Sequence, residues 1–298
     1  SMTMISINTN YGGIFAAKAS SQSQAAVDTA MERLSSGSKI NYAKDDAAGQ
    51  AISTRLSAEV QGLQTASRNA ADAQSMIDTA EGALQETHNV LLRMRELAVQ
   101  SANGTLTDGD RAHTDAEFDQ LVEEITRIAT NTAWAGKTML NGDVDGTTGN
   151  DALSFQIGEG ANQVITVTIA DMKATALGAS GSGASAIPAL ADASTPADGA
   201  SLSTVTDAQL AIQSIDNAID TIANTRAKFG ASENAIDHRL NYLLNAKINS
   251  SSRLSKIEDA DFALETARLT KAQIMSKAAS SMLAQANASG EVFLRLIN

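Results

Sequence analysis

Three groups of side chains in this sequence are of types that could do chemistry, and the first is a lysine beside two aspartates. Lys44, Asp45 and Asp46 stand shortly before Gly49, and neighbouring carboxylates suit metal binding or acid–base catalysis. The same pattern is typical of a solvated turn that leads into a helix, because negative charge is favourable at a helix N-terminus. We therefore predict a turn and a helix start here, without a chemical function.

The other two groups are a short acidic loop and the histidines. Asp143, Asp145 and Gly146 resemble the start of a calcium-binding loop, but position 147 is Thr and no Glu follows at the required spacing, which favours a turn. The sequence has no Cys, so thiolate chemistry is excluded. We predict no cofactor, no metal site and no enzymatic activity. The histidines lack the spacing of metal ligands and are predicted to be surface or seam residues: His88, His113 and His238.

Composition restricts the partners of the chain. The 298 residues include 34 Asp and Glu against 22 Lys and Arg, a net charge of −12, which argues against nucleic acid or an anionic membrane as the main partner. No run of about 18 apolar residues is present, so we expect no membrane insertion. The chain does not open with a basic segment followed by an apolar stretch, so we expect no cleaved Sec signal, and a protein of this kind that leaves the cell would use another export route.

Long helices with seven-residue apolar repeats must provide the framework. Because aromatic residues make up only 3% of the chain, we expect aliphatic side chains to fill helical seams. Between residues 56 and 98 an apolar residue returns at every seventh position, and this repeat predicts coiled-coil-like packing of a helix over about 47–100. The repeat consists of Leu56, Leu63, Ala70, Ile77, Leu84, Leu91 and Ala98.

Three further segments have helical patterns. After a turn at Asn103 and Gly104, an apolar face predicts a helix over about 107–130. Heptads return between residues 208 and 257, and residues 259–298 again place apolar side chains at helical spacing. The heptads of the second segment consist of Ala208, Ile215, Ile222, Phe229, Ile236 and Leu243.

The middle of the chain is different in kind. Two runs with strand character flank a Gly-Glu-Gly segment at 158–160, which lacks the lysine of a phosphate-binding loop, and together they predict a β-hairpin within residues 153–169. Residues 178–203 are rich in Gly, Ala and Ser and contain both prolines of the chain. We expect a surface loop or a small irregular insertion there.

The two ends of the chain carry almost no charge. No side chain that is charged at neutral pH occurs in residues 1–17 or 278–290. Such helical segments would expose apolar stripes in water, so we expect them to bury each other and to be hidden in an assembly. The predicted fold class is mainly α: long antiparallel coiled-coil helical rods from both termini, with a short β-hairpin and irregular insertion in the middle.

Several sequence motifs at both ends of the chain resemble the signatures of bacterial flagellin. The resemblance covers roughly residues 4–140 and 205–298, and it is specific because the motifs, called words below, follow one another in the same order as in that family. The last few residues, 294–298, stay apolar but depart from the family pattern. The words are INTN at 7–10, LSSGSKIN at 34–41, AKDDAAGQAI at 43–52, TAEGAL at 79–84, RMRELAVQS at 93–101, IEDADFA at 257–263 and MLAQAN at 282–287.

This resemblance implies a structural subunit that polymerises into the bacterial flagellar filament for motility. It implies an inner coiled-coil layer made from residues 1–46 and 256–298. It also implies an outer helical core made from 47–171, which includes the hairpin, and 204–255, with a short variable surface insertion at 172–203. The implied location is extracellular, after export of the unfolded chain through the flagellar type III apparatus.

The resemblance also implies partners and contact residues. The partners are further copies of the chain, an export chaperone on the C-terminal helix, the hook-junction and filament-cap proteins, and the flagellin-sensing Toll-like receptor. Arg93, Leu97 and Glu117 match positions that this receptor reads in many flagellins; alternatively, Arg93 and Glu117 only line a contact between subunits. We expect the polymerisation seam at Leu56, Leu63, Ile77, Leu84, Leu91, Ile274, Met282 and Leu283.

Two other classes of function compete with this interpretation. A flagellin-like surface adhesin would bind glycan or a host surface through residues 141–203, but the insertion is short and aromatic side chains for sugar stacking are scarce. The third class is an enzyme, because some flagellins carry a protease insertion. No constellation of nucleophile, metal ligands or acid–base pair favours it here.

Overall fold

The protein is mainly α-helical in the computed structural model, which describes residues 9–144, 146–182, 186–192 and 199–298, and the predicted fold class is confirmed. The first two residues of the INTN word and Asp145 of the acidic loop lie outside the described residues. In chain order the elements are α1 (Tyr11–Ser36), α2 (Ala47–Ser101), α3 (Asp108–Asn131), β1 (Ala133–Trp134), β2 (Lys137–Thr138), β3 (Ala152–Gln156), β4 (Val164–Thr168), α4 (Val205–Glu258) and α5 (Phe262–Ile297).

The chain divides into two compact units, which are described separately. The central unit is Gln61–Lys247, and the terminal unit is Ser1–Val60 together with Ile248–Asn298. The long helices α2 and α4 contribute residues to both units. None of the described helices combines enough length and apolarity to cross a membrane.

The seven-residue repeats form the core of the central unit. Two ion pairs show that α2 and α4 run antiparallel within this unit. Glu81 accepts a hydrogen bond from Arg226 Nε at 2.7 Å, and Arg95 Nε donates to Asp216 at 2.8 Å, so a later residue of α2 pairs with an earlier residue of α4. Between these polar pairs the predicted repeat residues are buried. The largest side chains with almost no exposure in this core include Leu63, Met76, Ile77, Leu84, Leu91, Phe118, Ile125 and Phe229.

Helix α3 starts and packs as its sequence dictates. Thr107 Oγ1 accepts a hydrogen bond from the backbone N–H of Asp110 at 3.1 Å, while the Asp110 carboxylate accepts one from the backbone N–H of Thr107 at 3.0 Å. This capping box satisfies two N–H groups that lack partners inside the helix. Phe118 and Ile125, two turns apart on the apolar face, then enter the core.

The predicted hairpin is confirmed as the antiparallel pair β3–β4, with Gln156 opposite Val164. Side chains from two helices of the central unit hold its backbone. Asn69 Nδ2 on α2 donates to the Gln156 carbonyl at 2.8 Å, and Arg239 Nε on α4 donates to the Ile157 carbonyl at 3.0 Å. These bonds satisfy carbonyl groups at the end of β3 and fix the hairpin to the helices.

For residues 178–203 the alternatives were a surface loop or a small irregular insertion. Their described part is irregular in backbone and contributes buried side chains, which favours the insertion. The composition is dominated by small residues, but apolar side chains recur among them and pack into the core of the central unit. Backbone bonds fix the segment as well: Asn217 Nδ2 donates to the Gly178 carbonyl at 3.1 Å, and the Leu202 N–H donates to Asp115 Oδ1 at 2.8 Å. The buried apolar side chains of residues 172–203 include Met172, Ala174, Leu177, Leu190 and Leu202.

A second small hairpin, β1–β2, was not predicted. Its two-residue loop places Ala135 at φ 51° and Gly136 at φ 78°. Positive φ at both loop positions is the geometry of a type I′ turn, which matches the twist of paired strands. Strands of two residues are too short to produce a periodic pattern in the sequence.

The terminal unit is built around α1 and α5, which pair antiparallel. Near one end of the pair Asn10 Nδ2 donates to the Ala286 carbonyl at 3.2 Å, and near the other Arg33 Nη1 lies 3.4 Å from Glu265 Oε1. α1 ends at Gly37, whose φ of 71° provides the left-handed C-cap that glycine adopts without strain.

Candidate functional site

The two terminal helices pack against each other through small residues. The buried positions on α1 are Gly13, Ala16 and Ala30, and on α5 they are Ala272 and Ala279 with Glu265. Residues 265, 272 and 279 are seven apart, so a single narrow stripe of α5 faces α1. Small side chains allow two helix backbones to approach closely, and they leave the large side chains of both helices on the outside.

The large apolar residues of α1 and α5 form an exposed surface, which we call the apolar face. Phe15 is 77% exposed, Ile274 61% and Leu296 76%. Soluble proteins seldom leave so many large apolar side chains exposed on one pair of helices unless the surface binds something. The apolar face comprises Tyr11, Ile14, Phe15, Met31, Phe262, Leu264, Ile274, Met275, Met282, Val292, Phe293, Leu294, Leu296 and Ile297.

This arrangement corrects one expectation about the helix ends. The two ends of the chain were expected to bury each other, and α1 and α5 do pair, but the contact uses alanine, glycine and one carboxylate and leaves the large apolar residues exposed. A pair of helices can cover only one stripe of each partner, and here that stripe is occupied by small residues. The larger stripe therefore has no cover among the described residues of the unit.

A groove between α1 and α5 interrupts the apolar face. It has a volume of about 620 Å³ and is lined by Tyr11, Phe15 and Ala16 on one helix and by Met275 and Met282 on the other. Its walls are almost entirely apolar, so an apolar side chain of a partner would fit it better than a polar ligand.

A charged cluster lies farther along the same helix pair. The Glu265 carboxylate is almost fully buried, and its Oε1 accepts hydrogen bonds from Arg33 Nη1 at 3.4 Å and Arg268 Nη1 at 3.0 Å. A buried carboxylate requires such paired donors, because desolvation of an unpaired charge is costly. Sequence reasoning missed this cluster, since no local pattern links residues 33 and 265.

The residues predicted for the polymerisation seam fall into two groups. Leu56, Leu63, Ile77, Leu84 and Leu91 on α2 are buried within the chain itself, at 8% exposure or less. On α5, Ile274 and Met282 lie on the apolar face, and Leu283 is half-buried.

The residues matched to receptor recognition are likewise divided. Arg93 and Glu117 meet on the surface of the central unit, where Arg93 Nε lies 2.9 Å from Glu117 Oε1, and Glu96 also binds the guanidinium. The hydrogen bonds that the Arg93 guanidinium donates to Glu117 and Glu96 raise the pKa of Arg93 above its ordinary value. Leu97 belongs to the core and is only 2% exposed.

The adjacent charges at 44–46 form a turn and a helix start, as predicted. Asp45 Oδ2 accepts hydrogen bonds from the backbone N–H groups of Asn41 and Tyr42 at 3.1 and 3.0 Å, which lower the pKa of its carboxyl. Asp46 Oδ1 accepts one from the Gly49 N–H at 2.9 Å, at the beginning of α2. Within the described ranges no group of three His, Cys, Asp or Glu side chains has the arrangement of a metal site.

Comparison with known families gives two matches that together span most of the chain. A model of the bacterial flagellin N-terminal helical region matches residues 7–145, and a model of the bacterial flagellin C-terminal helical region matches residues 212–297.

Full-length relatives resemble the chain from end to end. A flagellin of Bacillus subtilis is 40% identical over 306 residues, which cover 98% of this chain and 99% of the relative. A flagellin of Halalkalibacterium halodurans is 38% identical over 268 residues, covering 90% of each. The flagellar filament 31.3 kDa core protein of Treponema maltophilum is 36% identical over 295 residues, covering 98% and 99% respectively.

Proposed function

The chain belongs to the bacterial flagellin family, and from this premise we propose that its apolar face carries the contacts through which it polymerises. The protein is a structural subunit of the flagellar filament, and these relatives give no support to an adhesin acting through residues 141–203. The observation that carries the proposal is the exposure of the large apolar side chains of α1 and α5, with Phe15 and Leu296 about three-quarters exposed.

Burial of this surface supplies the driving force for assembly. Each Å² of apolar surface removed from water contributes about 25 cal/mol. Loss of translational freedom and the ordering of side chains oppose association by about 4–15 kcal/mol or more. Burial of the exposed side chains of the apolar face is the term that favours association against this cost.

The predicted polymerisation residues have different parts in this proposal. Ile274, Met282 and the exposed edge of Leu283 contact neighbouring subunits. The α2 residues support the same function indirectly, because they hold the subunit's own helices in place: Leu56, Leu63, Ile77, Leu84 and Leu91.

The predicted division of the chain follows the same logic. Residues 1–46 and 256–298 are the polymerising segments, and 47–171 with 204–255 form the helical body of the subunit. Helix α2 begins at Ala47, whereas the two compact units meet later on this helix, between Val60 and Gln61. Residues 172–203 contribute the variable insertion, and in its described part Leu177, Leu190 and Leu202 are buried in the central unit.

The apolar face would be exposed to water before assembly, which is a reason to propose a partner that binds it inside the cell. An export chaperone on α5 would shield Ile274, Met282 and Phe293 until the chain leaves the cell. The filament then lies outside the cell, bounded by the hook-junction and cap proteins. The flagellin-sensing Toll-like receptor would contact the surface pair Arg93 and Glu117, with Leu97 supporting that surface from beneath.

The test is electron microscopy of purified subunit mixed with sheared filament seeds. We expect long filaments from the full chain and none from a truncation that lacks residues 275–298. Circular dichroism and the fluorescence of Trp134, which lies in the central unit, should show that the truncated chain is folded. Filaments from the truncation would contradict the proposal.

A matched pair of point variants separates the apolar face from general effects of charge on α5. Ile274→Asp places a carboxylate on the face, whereas Gln273→Asp places the same group one residue away at another exposed position. We expect the first variant to stop elongation and the second to elongate at close to the wild-type rate. Equal elongation rates for the two variants would show that the apolar face does not carry the contacts of polymerisation.

A further inference from the structure

The methionines of this chain separate by unit. In the central unit Met76, Met94, Met139 and Met172 are at most 1% exposed. In the described part of the terminal unit the methionines are exposed instead: Met31 and Met275 are each 53% exposed, and Met282 is 64% exposed. The sequence contains no Cys, so no thiolate in the chain competes with these thioethers for an oxidant.

Met275 and Met282 have a shared position. They are seven residues apart on α5, so they project from the same side of the helix, and both line the apolar groove opposite Tyr11 and Phe15. An unbranched thioether fills an irregular apolar contact well, which makes methionine suitable for a groove that a partner must fill.

We propose that Met275 and Met282 form an oxidative modification site, at which peroxides convert the two thioethers to sulfoxides and thereby block polymerisation. The sulfur lone pair attacks one oxygen of hydrogen peroxide, the O–O bond breaks and an S–O bond forms, and the other oxygen leaves as water after proton transfer. Sulfur loses the two electrons that peroxide gains. Methionine sulfoxide reductase with a dithiol reverses the step, releasing water and a disulfide.

The consequence for assembly follows from polarity. A sulfoxide carries a strong hydrogen-bond acceptor into a groove whose walls are largely apolar, with Tyr11, Ser23, Gln285 and Ser289 as the polar side chains along it. A partner's apolar side chain in the groove would remove water from the sulfoxide oxygen, which is unfavourable, so the oxidised subunit binds its neighbour more weakly. We expect the critical concentration for elongation to rise by roughly tenfold or more. This inference rests on the proposed polymerisation through the apolar face, and it makes the unassembled subunit the oxidant-sensitive form.

The experiment treats full-length subunit with dilute hydrogen peroxide, maps the sulfoxides by peptide mass spectrometry, and measures elongation on untreated seeds. We expect rapid oxidation at Met275 and Met282, protection of Met76 and Met94, and slow elongation that methionine sulfoxide reductase restores. The double variant M275L/M282L keeps apolar side chains of similar volume and should elongate after peroxide treatment as it does before. Met31→Leu leaves both groove methionines in place, so elongation of this variant should still be inhibited by peroxide.

Two outcomes would overturn the proposal: undiminished elongation of subunit that carries sulfoxides at both positions, or inhibition that persists in M275L/M282L. The reductase measurement uses wild-type protein and so decides the matter even if the double variant assembles poorly. Failure of untreated wild-type subunit to elongate would instead count against polymerisation through this face, which separates the two proposals.

Discussion

The central and terminal units are both built from long antiparallel helices, but they place their large apolar side chains on opposite sides. In the central unit Phe118 and Phe229 are at most 2% exposed, whereas in the terminal unit Phe15 is 77% exposed and Phe293 42%. The central helices share one core with α3, the hairpin and the segment at 172–202. In the terminal unit α1 and α5 cover only one stripe of each other. The difference shows that a periodic apolar pattern specifies a helix face, while the available partners decide whether that face is filled.

The largest expected effect comes from truncating one matched residue in each unit. Leu84→Ala removes a fully buried side chain of the central core, and we expect it to lower the free energy of unfolding by about 2–5 kcal/mol. Ile274→Ala removes a side chain that is 61% exposed, and it should change that free energy by less than about 0.5 kcal/mol. Urea unfolding followed by circular dichroism measures both.

Seeded elongation should reverse the order of these two variants. Ile274→Ala loses contact area with the neighbouring subunit and should elongate slowly, while Leu84→Ala should elongate normally under conditions where it remains folded. If both variants lost the same stability, the contrast between a closed core and an open face would be wrong.

The contrast also explains how much of the fold the sequence could predict. The ends of α2 were predicted within a residue or so because an apolar heptad continues without a break from Leu56 to Ala98. The inward stripe of α5 was missed because Ala272 and Ala279 differ little in hydropathy from their surroundings. The large residue Ile274 dominates the pattern although it faces outward.

The irregular part of the central unit was less predictable for a different reason. Its anchors, such as Leu177 and Leu190, are separated by small residues without a period, so their burial depends on contacts that are distant in sequence. Arg33 and Glu265 of the candidate site share this property. By contrast, the absence of charged side chains from residues 1–17 and 278–290 was a local signal, and it predicted that these ends of the chain carry the functional surface.

A smaller effect is expected from the charged side chain that each unit buries. Arg111 in the central unit is 5% exposed and donates to the carbonyls of Ser101 and Asn103, both at 2.9 Å, and to Asp108 at 3.0 Å. Arg111→Ala removes the side-chain donor to the Ser101 carbonyl at the end of α2, while the Asn103 carbonyl keeps the backbone N–H of Leu106. We therefore expect a loss of about 1–3 kcal/mol in the free energy of unfolding. Asp108→Asn is the control, because that carboxylate is 88% exposed and should contribute little.

The corresponding change in the terminal unit is Glu265→Gln. The two arginines that lose their charged partner, Arg33 and Arg268, are 23% and 54% exposed and can turn to water. We therefore expect a smaller loss, about 1 kcal/mol, measured by hydrogen exchange of the α1 and α5 amides. A loss larger than that of Arg111→Ala would mean that the terminal pair is held by its charges and not by its small-residue seam.

The smallest effects concern pH, and they should have opposite signs in the two units. In the central unit a hydrogen bond with Asp78, then burial and the repulsion of Asp78, Glu81 and Asp237, raise the pKa of Glu233 above its ordinary 4.5. The folded state thus favours the protonated carboxyl. The stability that protonated Glu233 contributes is fully present below its ordinary pKa and is lost as the pH rises through its raised pKa in the folded protein. Glu233→Gln imitates the protonated form.

In the terminal unit the backbone N–H groups of Tyr42 and Asn41 lower the pKa of Asp45 below its ordinary 3.8. The stability it contributes is present above that ordinary value and is lost as the pH falls through the lowered one. At about pH 7 we therefore expect Glu233→Gln to have a higher urea midpoint than wild type and Asp45→Asn a lower one, with both differences shrinking on acidification. If both variants shifted the urea midpoint in the same direction, this prediction would be wrong. It would mean that the surroundings of Glu233 do not disfavour the ionised carboxyl, or that those of Asp45 do not favour it.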